Sequence, residues 1–592
     1  MNTKRKFIFN ALLFILISGT PIVPESRANE FYFLKIMPSK AFFILDRLNH
    51  EGNSSIYYRV LLEFQEEYTI SDAERENFRN PLLFKNFCIA DISVPDIFRI
   101  VKSTSIRKIY VLNRSQTVVG STHEKAKTVI GIIDQGIDWK NECFMKCSGK
   151  ESRIISIWDQ NGKGYEPISN CIPYGTEYLE HDIKASLKSN CNLIPYEAGH
   201  GWIISAVAAG NVTIQDEQKN ELFPGKTIDL PIIMVNTTGK MAALLDAVAY
   251  ITRKAAQMKS KCVINFALCK HIGPHDSSYM YLRAIDALMD ENSLLVVAAG
   301  NEGLKNIYIR EKMNPRALLE FRISKQRYGG KGTEINCKVE IEVWYNGSSH
   351  NKISLISPRG KVYGPVEQGE YNILNSMDGT IFIANGIDYS SGSDKKGANI
   401  SITSYERQTP RDGKWSLLME SSGKSIDKKI EAWITKSKNC DTEFKTKGNM
   451  INTISFLAFS KKTVSVGSWM YDESNLLKEA DFSNNPCKNM DCPEPLPNVL
   501  APGRVYVNIP GFSNPMQQDG TSVSTALITR FIAQTWNENP GLKASDIKKN
   551  LNGKVMTLNN SSSQWNGSPD YRLSRTANTF ITYFFIKEKE IP

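Results

Sequence analysis

At 592 residues, 41% hydrophobic and 23% charged, the chain is globular, with material for about two to four domains, and neither a disordered nor a fibrous composition fits it. Of its net charge of +10, Lys4, Arg5, Lys6 and Arg27 against Glu25 supply +3 at the N-terminus. The remaining lysines are scattered rather than striped, which excludes a nucleic-acid footprint and makes nucleic acid an unexpected partner.

The chain opens MNTKRKFIFNALLFILISGTPIVPESRANE: a basic start, an apolar run from Phe7 to Ile17, helix breakers, then the small-x-small tripeptide Ser26-Arg27-Ala28. This order predicts a secretory signal peptide over residues 1–28, cleaved after Ala28, whose apolar run is short for a bilayer anchor. No later stretch is long and apolar enough for a membrane helix, so the expected product is secreted or periplasmic, with no membrane contact after cleavage. Residues 29–120 follow as a small α+β domain. Tyr57 to Phe64, FCIADISV and IRKIYVL read as strands, and PDIFRIVK as a short helix from Pro95.

Residues 121–304 change character. Strands over 128–133, 231–235, 262–267 and 293–298 alternate with helices over 200–209, 240–257 and 278–290. Such alternation predicts an α/β fold, a mostly parallel sheet with helices on both faces. The pattern stops after Gly303. Over 305–445, KVEIEVWY, KISLISP, GTIFIA, NISITSY, KWSLLME and KIEAWIT are separated by Gly, Asn, Ser and Asp turns, the composition of an antiparallel β-sandwich. From TISFLAFSKKTVSVGSW onward the α/β pattern resumes and runs through 446–592, so the sandwich is an insertion.

Eleven cysteines fit an exported protein: Cys88 alone, then ten from Cys143 to Cys492. The even ten predict intramolecular disulfides, with Cys143–Cys147, Cys171–Cys191 and Cys487–Cys492 as local candidates. No Cys-x-x-Cys pair is present and the histidines complete no zinc set, so no metal ligand is assigned.

The chemistry lies in four separated pieces. TVIGIIDQGID ends an apolar strand at Asp134, at the sheet edge where open α/β folds build their sites, although an Asp after a strand is also a common turn residue or helix cap. EAGHGWIISAVAAGN sets His200 between glycines and opens a helix of small apolar residues. A lone His is otherwise a hydrogen-bonded structural residue. SLLVVAAGNEG runs a buried strand into Asn301, either a turn residue or an amide N–H donor to a developing oxyanion. GTSVSTALITR places Ser522 at the start of a buried helix, as a cap at the N-cap or N1 position or as a nucleophile at the positive helix end. The chain order is Asp, His, Asn, Ser.

Together these motifs resemble the subtilisin-like serine proteases. IIDQGID resembles the family's Asp motif, GHGWIISAVAAG its His segment, VVAAGNEG its oxyanion strand, and APGRVYVNIPG with DGTSVSTA its Ser motif, over residues 125–303 and 450–575. The resemblance implies acyl transfer: Ser522 as nucleophile, His200 as base, Asp134 as its orienting acid, and Asn301 with the Ser522 backbone N–H as the oxyanion hole. It also implies a protein or peptide substrate lying along Ala267, Leu268 and Cys269, and a leading α+β unit that acts as propeptide and inhibitor. No cofactor enters this chemistry; structural calcium occurs in the family, but no ligand loop is evident. VINFALCKHIGPHD and the inserted sandwich resemble the clostridial spore-germination branch, which includes members without a full triad, so a pseudoprotease that binds without cutting is the alternative. Departures from the family pattern are Trp202 and Ile203 after His-Gly, Ala267 and Cys269 in the substrate strand, and no proline four residues after Ser522. Cys269 either narrows the pocket or is tied in a disulfide.

Overall fold

The structure is a computed structural model that describes residues 57–64, 78–93, 96–97, 100, 106–114, 128–136, 138–146, 149, 151–162, 174–188, 199–225, 228–239, 241–325, 337–346, 350–387, 395–404, 410–421, 428–438, 440–445, 453–484, 496–552, 554–557 and 580–582. The expected leader lies outside these residues, as does most of the helix expected from Pro95. Among the described residues no helix is long and apolar enough to cross a membrane. The chain divides into two compact units, one of Met1–Ser115, His271–Ala287 and Lys305–Met450, the other of Gln116–Lys270, Leu288–Leu304 and Ile451–Pro592.

The second unit is built on the predicted parallel sheet. Val, Ile and Leu fill its central strands, and Thr128–Asp134 and Ser293–Ala298 are buried along their whole length, as strands covered on both faces must be. Thr128–Asp134 lies between Ile232–Asn236 and Lys261–Phe266, parallel to both. The sheet continues in parallel through Ser293–Ala298, Thr463–Tyr471 and Val499–Pro502. On the other side Ile154–Asp159 pairs in parallel with Ile232–Asn236 and carries the antiparallel edge strand Thr176–Leu179. Sequence reading missed these last two strands. Two helices pack among this core: His200–Ala209, buried at seven of its ten residues, and Thr521–Glu538, buried at thirteen of eighteen.

The first unit holds the N-terminal strands and the sandwich. The expected strands Tyr57–Phe64, Phe87–Ser93 and Ile106–Arg114 pair in an antiparallel sheet, and Arg79–Phe84 adds an unanticipated edge strand. The buried carboxylate of Glu63 forms an ion pair with Arg283 of the helix Met280–Leu288. Arg283 also lies over the Phe87 ring, 5.9 Å from its centre. All six expected sandwich strands are present, in one six-stranded and one five-stranded sheet. The sandwich also contains Tyr308–Met313, Arg316–Lys325, Val362–Val366, Tyr371–Ser376 and Cys440–Phe444. Its core is layered between Trp415, Phe321 and Leu355 and the facing Ile341, Ile400 and Val343.

The cysteine expectation needs correction. Cys143 and Cys262 are free buried thiols, so the even ten are not a complete disulfide set and the Cys143–Cys147 pairing does not form. Cys143 sits in the hydrophobic core, where burial pushes its thiol up to about 12. A disulfide joins Cys337 to Cys440 instead, 103 residues apart, linking a residue that leads into the six-stranded sheet with the first residue of a five-stranded-sheet strand. Parity of a count does not reveal connectivity. Cys171, Cys191, Cys487 and Cys492 lie outside the described residues. Non-reducing peptide mapping should recover the Cys337–Cys440 link and find Cys143 and Cys262 alkylated only after unfolding. Replacing Cys337 and Cys440 together should destabilise the sandwich by about 2–5 kcal/mol in denaturant titration. A map that places Cys143 in a disulfide would contradict this arrangement.

Candidate active site

The parallel strands deliver the four sequence pieces to one edge. Thr128–Asp134 ends in Asp134, whose carboxylate is fully buried and accepts the Gln135 backbone N–H at 2.7 Å. The helix His200–Ala209 begins directly against this turn: the Gly201 N–H donates to the Gln135 carbonyl at 2.8 Å. The glycines around His200 make that approach possible. A Cβ on Gly199 would stand 2.7 Å from the Gln135 carbonyl oxygen, and one on Gly201 would stand 2.8 Å from the Asp134 Cβ, both inside contact distance. His200 is thereby held with Nδ1 2.9 Å from Asp134 Oδ1 and 3.1 Å from Oδ2. A carboxylate only accepts, so Nδ1 carries the proton and Nε2 presents its lone pair. The His200 side chain is 39% exposed, open to an incoming chain.

The bond to Asp134 raises the His200 pKa above the ordinary histidine value. Burial opposes it, and the nearby negative charge adds to it. The balance favours the imidazolium because a hydrogen bond to the charged form and the opposite charge together outweigh partial desolvation.

Ser522 is the second residue of the helix Thr521–Glu538, whose N-cap is Gly520 at φ 121°, a backbone conformation suited to glycine. The cap reading of Ser522 therefore does not hold. Its hydroxyl donates across the cleft to the Ala267 carbonyl at 3.0 Å, while its backbone N–H is among the orphan donors of the first helical turn. Ala267 follows the strand Lys261–Phe266 and is buried, with Leu268 and Cys269 half-buried beyond it.

Asn301 follows Ser293–Ala298. Its Oδ1 accepts from both the N–H and the hydroxyl of Thr521, each at 2.9 Å, which leaves Nδ2 beside Gly520, 3.1 Å from where a Cβ on that glycine would stand. The Thr521 hydroxyl also accepts the Gly300 N–H at 3.1 Å. Thr521 thus orients Asn301, a role that sequence reading missed although Thr521 stands beside the serine it singled out. Behind Asn301, Asn484 donates to Glu302 at 2.8 Å and to the Ala299 carbonyl at 3.1 Å. The Cys269 sulfur lies 3.7 Å from the same carbonyl. Of its two expected fates, the disulfide is ruled out: Cys269 keeps its thiol, pushed well up by burial and then by Glu302. Trp202 lies against Phe512, ring centres 5.1 Å apart, and forms an apolar flank two residues past His200. A cavity of about 470 Å³ opens beside Asn301, lined by Leu304, Met470, Tyr471, Phe482, Arg504 and Asp519 among others.

Residues 125–326 and 360–567 match the model of the subtilase family, Peptidase S8. The chain belongs to the subtilase family. It is thus a subtilisin-like serine protease by family. Among solved structures it is similar to the CspB protease of Clostridium perfringens, at 22% identity and a TM-score of 0.57 over 71% of this chain and 85% of that one. It also matches the epidermin leader peptide processing serine protease EpiP of Staphylococcus aureus, at 12% identity and a TM-score of 0.35 over 82% of this chain and 90% of that one. No curated protein matches. The CspB likeness carries the fold, and it agrees with the parallel sheet and the two buried helices of this subtilase.

As the base that the family resemblance implies, His200 would have to be neutral to act, and its raised pKa would place the acid limb of kcat/KM above about 6.5, the ordinary histidine value. Asp134→Asn removes both raising contributions and leaves burial, so the limb should move to lower pH while the rate falls about 10⁴-fold. A pH–rate profile of the two proteins checks this, and an unshifted limb would contradict the assignment of His200 as the titrating base.

Proposed function

We propose that the protein is a secreted serine endopeptidase, made as a zymogen, that hydrolyses protein or peptide substrates through Ser522, His200 and Asp134. The observation that carries this reading is a buried carboxylate at the end of Thr128–Asp134 bonded to Nδ1 of a partly exposed imidazole, with a serine at a helix N-terminus bonded to the carbonyl that follows the neighbouring strand Lys261–Phe266. In the reaction, His200 Nε2 takes the proton as Ser522 Oγ attacks the scissile carbonyl, and the Asp134 charge stabilises the imidazolium that forms. The oxyanion that develops is met by Asn301 Nδ2 and the Ser522 N–H, the latter aided by the positive helix end. The imidazolium then gives its proton to the leaving amine, and water repeats the sequence to release the acyl group. None of these steps needs a cofactor.

The substrate backbone lies along Ala267, Leu268 and Cys269, and the cavity beside Asn301 receives one of its side chains. Before attack the Ser522 proton must swing away from the Ala267 carbonyl. The N-terminal four-stranded sheet is the inhibitory propeptide in this reading, removed by the enzyme's own cut between about residues 112 and 126 after the leader has gone.

Purified wild-type protein should cleave an unfolded protein substrate and lose its N-terminal segment. Ser522→Ala should do neither. It should remain folded, because removing the hydroxyl forfeits one hydrogen bond worth about 0.5–1.5 kcal/mol. Equal cleavage by both proteins would end the serine-protease reading, and absence of cleavage by both would favour the binding protein. N-terminal sequencing of active protein that finds only an uncut chain would reject the propeptide role.

A further inference from the structure

The helix His200–Ala209 is apolar and buried, and no basic residue stands in its last turn. A helix end leaves its final carbonyls without partners inside the helix, and in a dry core water does not supply donors. Here the Ala206 carbonyl takes the Gly210 N–H at 2.8 Å. The other donors are two buried guanidiniums. Arg153 Nη2 donates to the Ala209 carbonyl at 2.5 Å. Arg530 donates through Nη1 to the Val207 carbonyl at 2.9 Å and through Nη2 to the Gly210 carbonyl at 2.6 Å, and its guanidinium lies 5.0 Å from the centre of the Phe223 ring. A positive group at this end also complements the negative pole of the helix.

The two arginines come from different places. Arg153 precedes the strand Ile154–Asp159. Arg530 sits eight residues after Ser522 on the same buried helix, so its fork ties the serine's helix directly to the far end of the histidine's helix. The near end is tied separately, through Gly201 to Gln135 and through His200 to Asp134. A ten-residue helix is a rod about 15 Å long, and a rod fixed at both ends has no freedom to tilt. The Ser522 hydroxyl is engaged with the Ala267 carbonyl, so the spacing of base and nucleophile is set by the framework that carries them. We propose that Arg530 is a positioning residue for catalysis, its two-pronged grip on Val207 and Gly210 fixing where His200 stands relative to Ser522.

This inference rests on the serine-protease reading. The test uses full-length protein and a fluorophosphonate probe, with the inactivation rate constant kinact and the binding constant KI measured separately, well below the melting temperature of each variant. Arg530→Lys keeps the charge but lacks the planar two-pronged geometry, and Arg530→Gln is a second, neutral variant. Displacement of a reacting group by a fraction of an ångström should lower kinact by about 10-fold or more, with KI within about 3-fold of wild type because Arg530 does not touch the substrate. Arg153→Lys is the control for general loosening: it weakens the same helix end without breaking the link to the Ser522 helix, and should lower the melting temperature with little change in kinact.

Wild-type kinact in folded Arg530→Lys, or an equal loss in Arg153→Lys, would overturn the positioning role. Failure of both Arg530 variants to fold would make the residue one of stability alone and overturn it as well. A wild-type protein that the probe does not label would refute the serine-protease reading itself, and this inference with it.

Discussion

The helix Thr521–Glu538 runs through the core of its unit, and every hydroxyl on its buried face has to find a partner. A buried hydroxyl left unsatisfied costs about 1–3 kcal/mol, so the partners are as much a condition of folding as of function. Ser522 bonds to Ala267, Thr521 to Asn301, Ser524 to the Pro502 carbonyl, and Thr529 to Asn265. These partners belong to three different strands or the turns that follow them. The polar face of one helix therefore sets the relative positions of the strand ends, and the site is assembled from the ends so placed. Arg530 extends the same principle to the neighbouring helix.

The electrostatics of the site follow from two helix starts facing one edge. His200 and Ser522 both occupy the first turn of their helices, where the partial positive charge of orphan N–H groups favours negative charge. For Ser522 and its backbone N–H this suits an oxyanion. For His200 the same field, together with burial, disfavours the imidazolium, yet its pKa is raised. The Asp134 contact is the stronger effect, because it is a direct hydrogen bond to a buried carboxylate.

Much of this arrangement was legible in the sequence, for identifiable reasons. Asp134 and Asn301 follow apolar runs and His200 and Ser522 precede them, so periodicity places them on strand ends and helix starts. The sandwich strands that alternate cleanly, such as Lys338–Asn346, were visible for the same reason. Tyr308–Met313, YIREKM, was not: three of its six residues are charged and its exposed face hides the period of two. Arg530 escaped notice because an arginine in an amphipathic helix ordinarily reaches for solvent, and its burial depends on carbonyls some 320 residues away in the chain. Thr521 and Asn484 escaped for a related reason. Their importance lies in which hydrogen bonds they make, and composition does not encode partners. The Cys337–Cys440 link depends on the meeting of two sheets, which no local spacing reveals.

In the proposed reaction His200, held by Asp134, activates Ser522 and no other serine. The most direct measurement is peptide mapping by mass spectrometry after fluorophosphonate treatment of the full-length protein, with His200→Ala alongside. A single phosphonyl adduct on Ser522 is expected, absent in His200→Ala under the same exposure. An adduct on another residue such as Ser524, or equal labelling of Ser522 without the imidazole, would contradict it.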